Sequence, residues 1–170
     1  MVPASFLADT PCSSAATTNS ASTGKTAPFI VIDSYVTASA PNGLIGAEIS
    51  FDVVSVGATE NALMAATLAK GTTIIRNAAR EPEIGDLANL LIGMGAQIEG
   101  VGTSTLSIHG VDKLGSATHH VLADRIETGT YMAAVAVAGG DVLLEGARAE
   151  DLRAVIEKMQ SVGVAIEEQD

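Results

Sequence analysis

The chain repeats itself once. Gly71-Thr-Thr-Ile-Ile-Arg-Asn-Ala78 returns as Gly140-Asp-Val-Leu-Leu-Glu-Gly-Ala147, and Met94-Gly-Ala-Gln-Ile-Glu99 returns as Val162-Gly-Val-Ala-Ile-Glu167. The first pair lies 69 residues apart and the second 68, and Leu152 opens a helical pattern where Ile84 does. Each copy reads as apolar helix, strand, amphipathic helix, strand. One such unit leaves a sheet face and a helix stripe uncovered, so units of this kind are expected to stack on one another. The fold class this dictates is mixed α/β (α+β), built from repeated units.

The local patterns define the first copy closely. Ile30–Ile32, Tyr35–Ala38 and Glu48–Phe51 are short β-prone runs broken by the turn-forming Pro41-Asn42-Gly43. Ala58–Lys70 reads as a buried helix stopped by Gly71, and Thr72–Arg76 as a strand. Ile84–Met94 places Leu87, Leu90, Leu91 and Met94 on one helical face before Gly95. Gln97–Glu99 and Thr105–His109 follow as strands around a turn at Gly100–Thr103. Tyr131–Ala138 is apolar enough for a buried helix. Residues 1–29 differ: Ser, Thr and Ala dominate without periodicity, which predicts a disordered or non-native leader.

Composition excludes several classes. At 170 residues, 47% hydrophobic but only 3% aromatic, the chain must build its core from Ala, Val, Leu and Ile. A net charge of −11 argues against a nucleic-acid surface, which needs clustered Lys and Arg. An anionic ligand must then be met locally, by backbone N–H groups or a few placed cations. The single cysteine, Cys12, excludes an intrachain disulfide framework and suits a reducing compartment. No apolar run reaches the ~20 residues of a membrane span. The start of the chain lacks the basic and apolar regions of a secretory signal.

Three segments carry charge and small residues at helix starts. Val54-Ser-Val-Gly-Ala-Thr59 leads a strand into a helix; Ser55 suits a cap, and Gly57 leaves room for a ligand near unpaired first-turn N–H groups. Arg80-Glu81-Pro82-Glu83 sets Pro and two acids at the positive end of a helix dipole. Asp124-Arg-Ile-Glu-Thr-Gly-Thr130 packs three charges in front of the apolar run. Ordinary capping accounts for each segment taken alone. His109 and His119-His120 have no metal-ligand spacing around them and read as solvated surface.

Taken together, in this order and spacing, the three segments resemble the UDP-N-acetylglucosamine enolpyruvyl transferases, from about Ile30 to Asp170. The resemblance implies a fold of repeated βαβαββ units, three to a domain, in an inverse α/β barrel that would be incomplete here. It implies that residues 30–122 end a first domain and residues 123–170 start a second. It implies transfer of the enolpyruvyl group from phosphoenolpyruvate to the 3-hydroxyl of UDP-N-acetylglucosamine, in the cytoplasm, for peptidoglycan synthesis, with no metal or organic cofactor. Val53, Val54, Ser55, Val56 and Gly57 map onto the segment that holds the uridine diphosphate. Val53 departs from the pattern, since a Lys often stands there. Glu81, Glu83, Asp124, Arg125 and Glu127 map to the interdomain cleft, where Arg125 is expected to pair with Glu81, or else with Glu83 or Glu127.

The family's lysine–asparagine pair, cysteine loop, and later aspartate and arginine have no counterpart in the chain, and Cys12 lacks the loop's surroundings. No catalytic residue is therefore assigned, and the chain reads as a central fragment inactive alone. Two other readings stand beside this one: the sister reaction on shikimate 3-phosphate, and a non-catalytic repeat domain that self-associates through uncovered apolar faces.

Overall fold

The computed structural model of the chain describes residues 40–168. In order these form β1 (Glu48–Ser50), α1 (Val56–Ala66), β2 (Thr72–Arg76), α2 (Pro82–Gly93), β3 (Gln97–Glu99) and β4 (Thr105–His109). Then come α3 (Arg125–Ala138), a 3-10 helix (Ala149–Leu152) and α4 (Arg153–Ser161). The expected leader, the strands Ile30–Ile32 and Tyr35–Ala38, and Cys12 lie outside the described residues.

The four strands make one sheet in the order β1-β2-β4-β3. β1 runs parallel to β2, with α1 as the crossover, pairing Glu48 with Ile74 and Ser50 with Arg76. β4 is antiparallel to both β2 and β3, with Ile75 opposite Leu106 and Ile98 opposite Ile108. The strand period of two turns Thr73 and Ile75 inward while Thr72 and Arg76 face out, and does the same for Leu106 and Ile108.

Both helices of the first copy cover that inner face. Thr59, Leu63 and Ala66 of α1, and Ile84, Ala88 and Leu91 of α2, recur at helical spacing and are buried. They meet Ile75, Leu106 and Ile108 in one cluster that also takes in Ala78, Ala79 and Ala96. Leu63, Ile75, Leu106 and Ile108 lose all solvent contact, each burial worth roughly 1.5–3 kcal/mol. Gly110 marks a close crossing: a Cβ there would fall on the Ala69 carbonyl.

β2, β3 and β4 occupy the expected residues, while the helix limits differ for physical reasons. The Ser55 hydroxyl accepts from Ala58 N, so α1 starts at Val56 rather than Ala58. It ends at Ala66 rather than Lys70, because Lys70 N donates to Leu44 O and Lys70 pairs with Ile45 as a parallel bridge. α2 starts at Pro82, whose fixed φ suits a first helical position.

The second copy keeps its helices and loses its strands. Residues 141–144 and 164–168, the counterparts of β2 and β3, carry no ladder, because among the described residues no strand lies beside them to exchange hydrogen bonds. α3 is not the buried helix its apolar run predicts. None of its residues is buried, and Val137 is 90% exposed. It comes close to the 3-10 helix and α4 at Gly129, where a Cβ would lie 3.7 Å from Leu152 Cδ2 and 4.0 Å from Val155 Cγ1. A helix of Ala and Val buries itself only if neighbours cover several faces, and among the described residues its main packing is against the 3-10 helix that holds Leu152.

Candidate functional site

Sheet topology gathers three turns at one end. β1 and β2 are parallel and β4 is antiparallel to them, so the β1–α1 turn, the β2–α2 turn and the β3–β4 turn emerge side by side. Between them lies an open groove of about 710 Å³ lined by Val54, Asn77, Ala78, Arg80, Glu81, Gly102 and Ser104.

Hydrogen bonds tie the turns together. Asn77 adopts a left-handed backbone (φ 56°), which Asn tolerates better than most residues, and its Nδ2 donates to Phe51 O at 2.9 Å. Ala78 N donates to Ser104 O at 3.0 Å. Thr59, buried in α1, donates through Oγ1 to Ser55 O at 2.7 Å and accepts from Ala79 N at 3.0 Å. One threonine thus couples the β1–α1 turn to the segment carrying Arg80 and Glu81. Neither Thr59 nor Asn77 stood out in the sequence, since a threonine inside a helical run signals nothing by itself.

Val53 is 77% and Val54 49% exposed beside the start of α1. Ser55 caps that helix, Val56 is half-buried as its first residue, and nothing lies within 4 Å of where a Gly57 Cβ would be. Glu81 lines the groove, and its Oε2 accepts from the backbone N of Arg80 at 2.9 Å.

Across the start of α2 one of the three expected partners of Arg125 is taken. Arg125 grips Glu83 rather than Glu81 or Glu127, with Nε 3.2 Å from Oε2 and Nη2 3.0 Å from Oε1. Glu81 is turned toward its own backbone, whereas Glu83 projects from the first turn of α2 toward the incoming chain. The Arg125 hydrogen bond, outweighing partial burial, holds the Glu83 carboxyl below the ordinary glutamate range. Glu83 in turn raises Arg125, with Glu81 and Asp151 adding to the same field. Asp124 caps α3, its Oδ1 accepting from Ile126 N at 2.8 Å and Glu127 N at 3.0 Å. Glu127 is exposed and has no ion pair among the described residues.

Two further pairs extend this network. His119 is not solvated: its Nε2 lies 2.9 Å from Asp86 Oδ1, and both side chains are about four-fifths buried. Arg148 bonds Glu150 Oε1 through Nη2 at 2.6 Å and stands 3.2 Å from Asp151 Oδ2. Local sequence could have found the latter pair, because Arg148 stands two and three residues before Glu150 and Asp151. Among the described residues, no three His, Cys, Asp or Glu side chains converge as a metal ion would require. No helix of these residues is long and apolar enough to cross a membrane.

Known proteins resemble this chain over most of its length. The UDP-N-acetylglucosamine 1-carboxyvinyltransferase of Novosphingobium aromaticivorans is 61% identical over 134 residues, covering 78% of this chain and 31% of the relative. That of Dinoroseobacter shibae is 58% identical over 142 residues, covering 84% of this chain and 34% of the relative. The chain therefore spans about a third of the length of these curated relatives. The solved enolpyruvyl transferase NikO from Streptomyces tendae aligns with 46% of this chain and 19% of its own, at 31% identity and a TM-score of 0.42. The family model for EPSP synthase (3-phosphoshikimate 1-carboxyvinyltransferase) matches residues 15–170. With nearly the whole sequence accounted for in this way, the chain belongs to the EPSP synthase (3-phosphoshikimate 1-carboxyvinyltransferase) family of enolpyruvyl transferases.

Proposed function

We propose that this chain carries part of the sugar-nucleotide site of an enzyme that moves the enolpyruvyl group of phosphoenolpyruvate to the 3-hydroxyl of UDP-N-acetylglucosamine, in cytoplasmic peptidoglycan synthesis. The observation that carries the reading is the groove at one end of the sheet. It brings Val54, Arg80 and Glu81 to one opening beside the Ser55-capped start of α1. The relatives named above, 58% to 61% identical, act by their names on this sugar nucleotide.

In the reaction the 3-hydroxyl attacks C2 of phosphoenolpyruvate, C3 takes a proton, and the tetrahedral intermediate expels phosphate. Binding and orientation fall to this chain: the α1 start and its Val53–Gly57 segment face the diphosphate, and Glu81 accepts from ligand hydroxyls. Glu83, Arg125, Asp124 and Glu127 form the wall where residues 30–122, the end of one domain, meet residues 123–170, the start of the next. Proton transfer is not assigned to any residue here, so the chain alone binds and does not turn over.

Thermal unfolding of the full chain, with and without UDP-N-acetylglucosamine, tests this. Ligand at about tenfold its dissociation constant adds about 1.4 kcal/mol to the folded state, a midpoint rise of roughly 3–5 °C. The rise is expected with the sugar nucleotide and not with shikimate 3-phosphate. The reverse order would favour the sister reaction, and no rise with either would remove the reading.

A second reading has its own support: Val137, Val142, Leu143 and Val162 are all more than half exposed in the second copy. A non-catalytic assembling module would bury them against other copies. Light scattering showing mass that grows with concentration, without any ligand response, would favour that reading.

A further inference from the structure

The two copies treat their matching arginines in opposite ways. Arg80-Glu81-Pro82-Glu83-Ile84 overlays Arg148-Ala149-Glu150-Asp151-Leu152 at the spacing of the repeat. In the second copy Arg148 is neutralised locally. Its Nη2 and Nε lie 2.6 and 3.0 Å from Glu150 Oε1, and its Nε is 3.2 Å from Asp151 Oδ2. In the first copy both carboxylates are removed from reach. Pro82 stands where Glu150 does, and Glu83, the counterpart of Asp151, is held at both oxygens by Arg125.

Arg80 is left exposed, with no ion pair among the described residues. Among the described residues lining the groove it is the one cation. The neighbouring Glu81 carboxylate is occupied in part by the Arg80 backbone N–H at 2.9 Å. In a chain of net charge −11, an unpaired guanidinium at an open groove is an attractor for anions. Val53 and Val54, exposed beside the start of α1, supply no cation of their own.

We propose that Arg80 is the anion-binding residue of the groove and that it receives the diphosphate of a sugar nucleotide, a ligand class that rests on the reading above. Pro82 and Arg125 act as positioning residues: one denies Arg80 a local carboxylate, and the other occupies Glu83. A guanidinium offers two parallel N–H donors to a phosphate, so its loss removes a geometric match as well as charge.

Ligand-observed NMR titrations on the full chain test this, with UDP-N-acetylglucosamine and inorganic pyrophosphate as probes. Arg80→Met is expected to weaken sugar-nucleotide binding roughly tenfold or more. Pro82→Glu, which rebuilds the pairing of the second copy, is expected to weaken it several-fold while Arg80 remains. Lys158→Met, an equal loss of charge on the exposed side of α4, is expected to stay within about twofold. Wild-type binding that survives Arg80→Met within about twofold overturns the assignment of Arg80 and leaves the sugar-nucleotide reading standing. Arg80-dependent pyrophosphate binding with no gain from the nucleotide sugar keeps the anion site and removes that reading. Failure of the wild type to bind either probe overturns both.

Discussion

The pair joining α3 to α2 offers a quantitative test. In a double-mutant cycle, Arg125→Met and Glu83→Gln are made singly and together, and stability is read by urea unfolding followed by circular dichroism. Two charge-assisted hydrogen bonds of 3.2 and 3.0 Å join the side chains, which are 28% and 34% exposed. Exposed ion pairs couple by ~0.2–1 kcal/mol, and bidentate geometry with partial burial puts this one near the top of that range. The expected coupling is about 1 kcal/mol at low salt, worth roughly 2–4 °C in midpoint. At 1 M salt the Debye length falls to ~3 Å, and the coupling should shrink substantially.

The pH dependence has a defined sign. Because Arg125 lowers the folded-state pKa of Glu83, the pair stabilises the fold fully above the unfolded glutamate value of ~4.3. That contribution is lost as pH falls through the lower folded value, and Glu83→Gln should lack the loss. Coupling below about 0.3 kcal/mol at low salt, or coupling unchanged between pH 7 and pH 3, would refute the reasoning.

Two substitutions elsewhere probe what holds the groove in shape. Thr59→Val keeps the volume but strips Ala79 N of its buried acceptor, and should cost about 1–3 kcal/mol by chemical denaturation. It should also weaken sugar-nucleotide binding, since the segment bearing Arg80 loses its tie to α1. Gly110→Ala drives a methyl into the Ala69 carbonyl and should lower the thermal midpoint well beyond a typical surface change; a shift under about 2 °C would count against the close crossing.

Much of the first copy could be read in advance because its cues are local. Thr72–Arg76 and Thr105–His109 alternate inward and outward residues, and the pleat enforces that alternation whatever lies around it. The end of α1 is not legible in the sequence because nothing near Lys70 announces that Leu44 takes its N–H. The second copy shows the same gap on a larger scale. Val142-Leu143-Leu144, the counterpart of Thr73-Ile74-Ile75, is as apolar as that strand, yet a strand exists only where another strand accepts its hydrogen bonds.

The site divides in the same way. Ser55 and Asp124 cap helices, as residues of their type before an apolar run should. Opposite charge indicated that Arg125 would find a glutamate. Choosing Glu83 over Glu81 required knowing that α2 starts at Pro82 and that Glu81 folds back onto Arg80 N. Thr59, which joins two turns, and His119, which reaches Asp86 across 33 residues, depend on tertiary placement alone.

The central claim is that a sugar-nucleotide groove is formed by the three turns at one end of the sheet. Backbone amide chemical shifts of the full chain, followed during titration with UDP-N-acetylglucosamine, test it most directly. Saturable shifts are expected to concentrate at residues 54–58, 77–81 and 102–104, with the outer strand face of β3 and the length of α4 unmoved. Shifts spread across α3 and α4, or no saturable shift at the three turns, would contradict it.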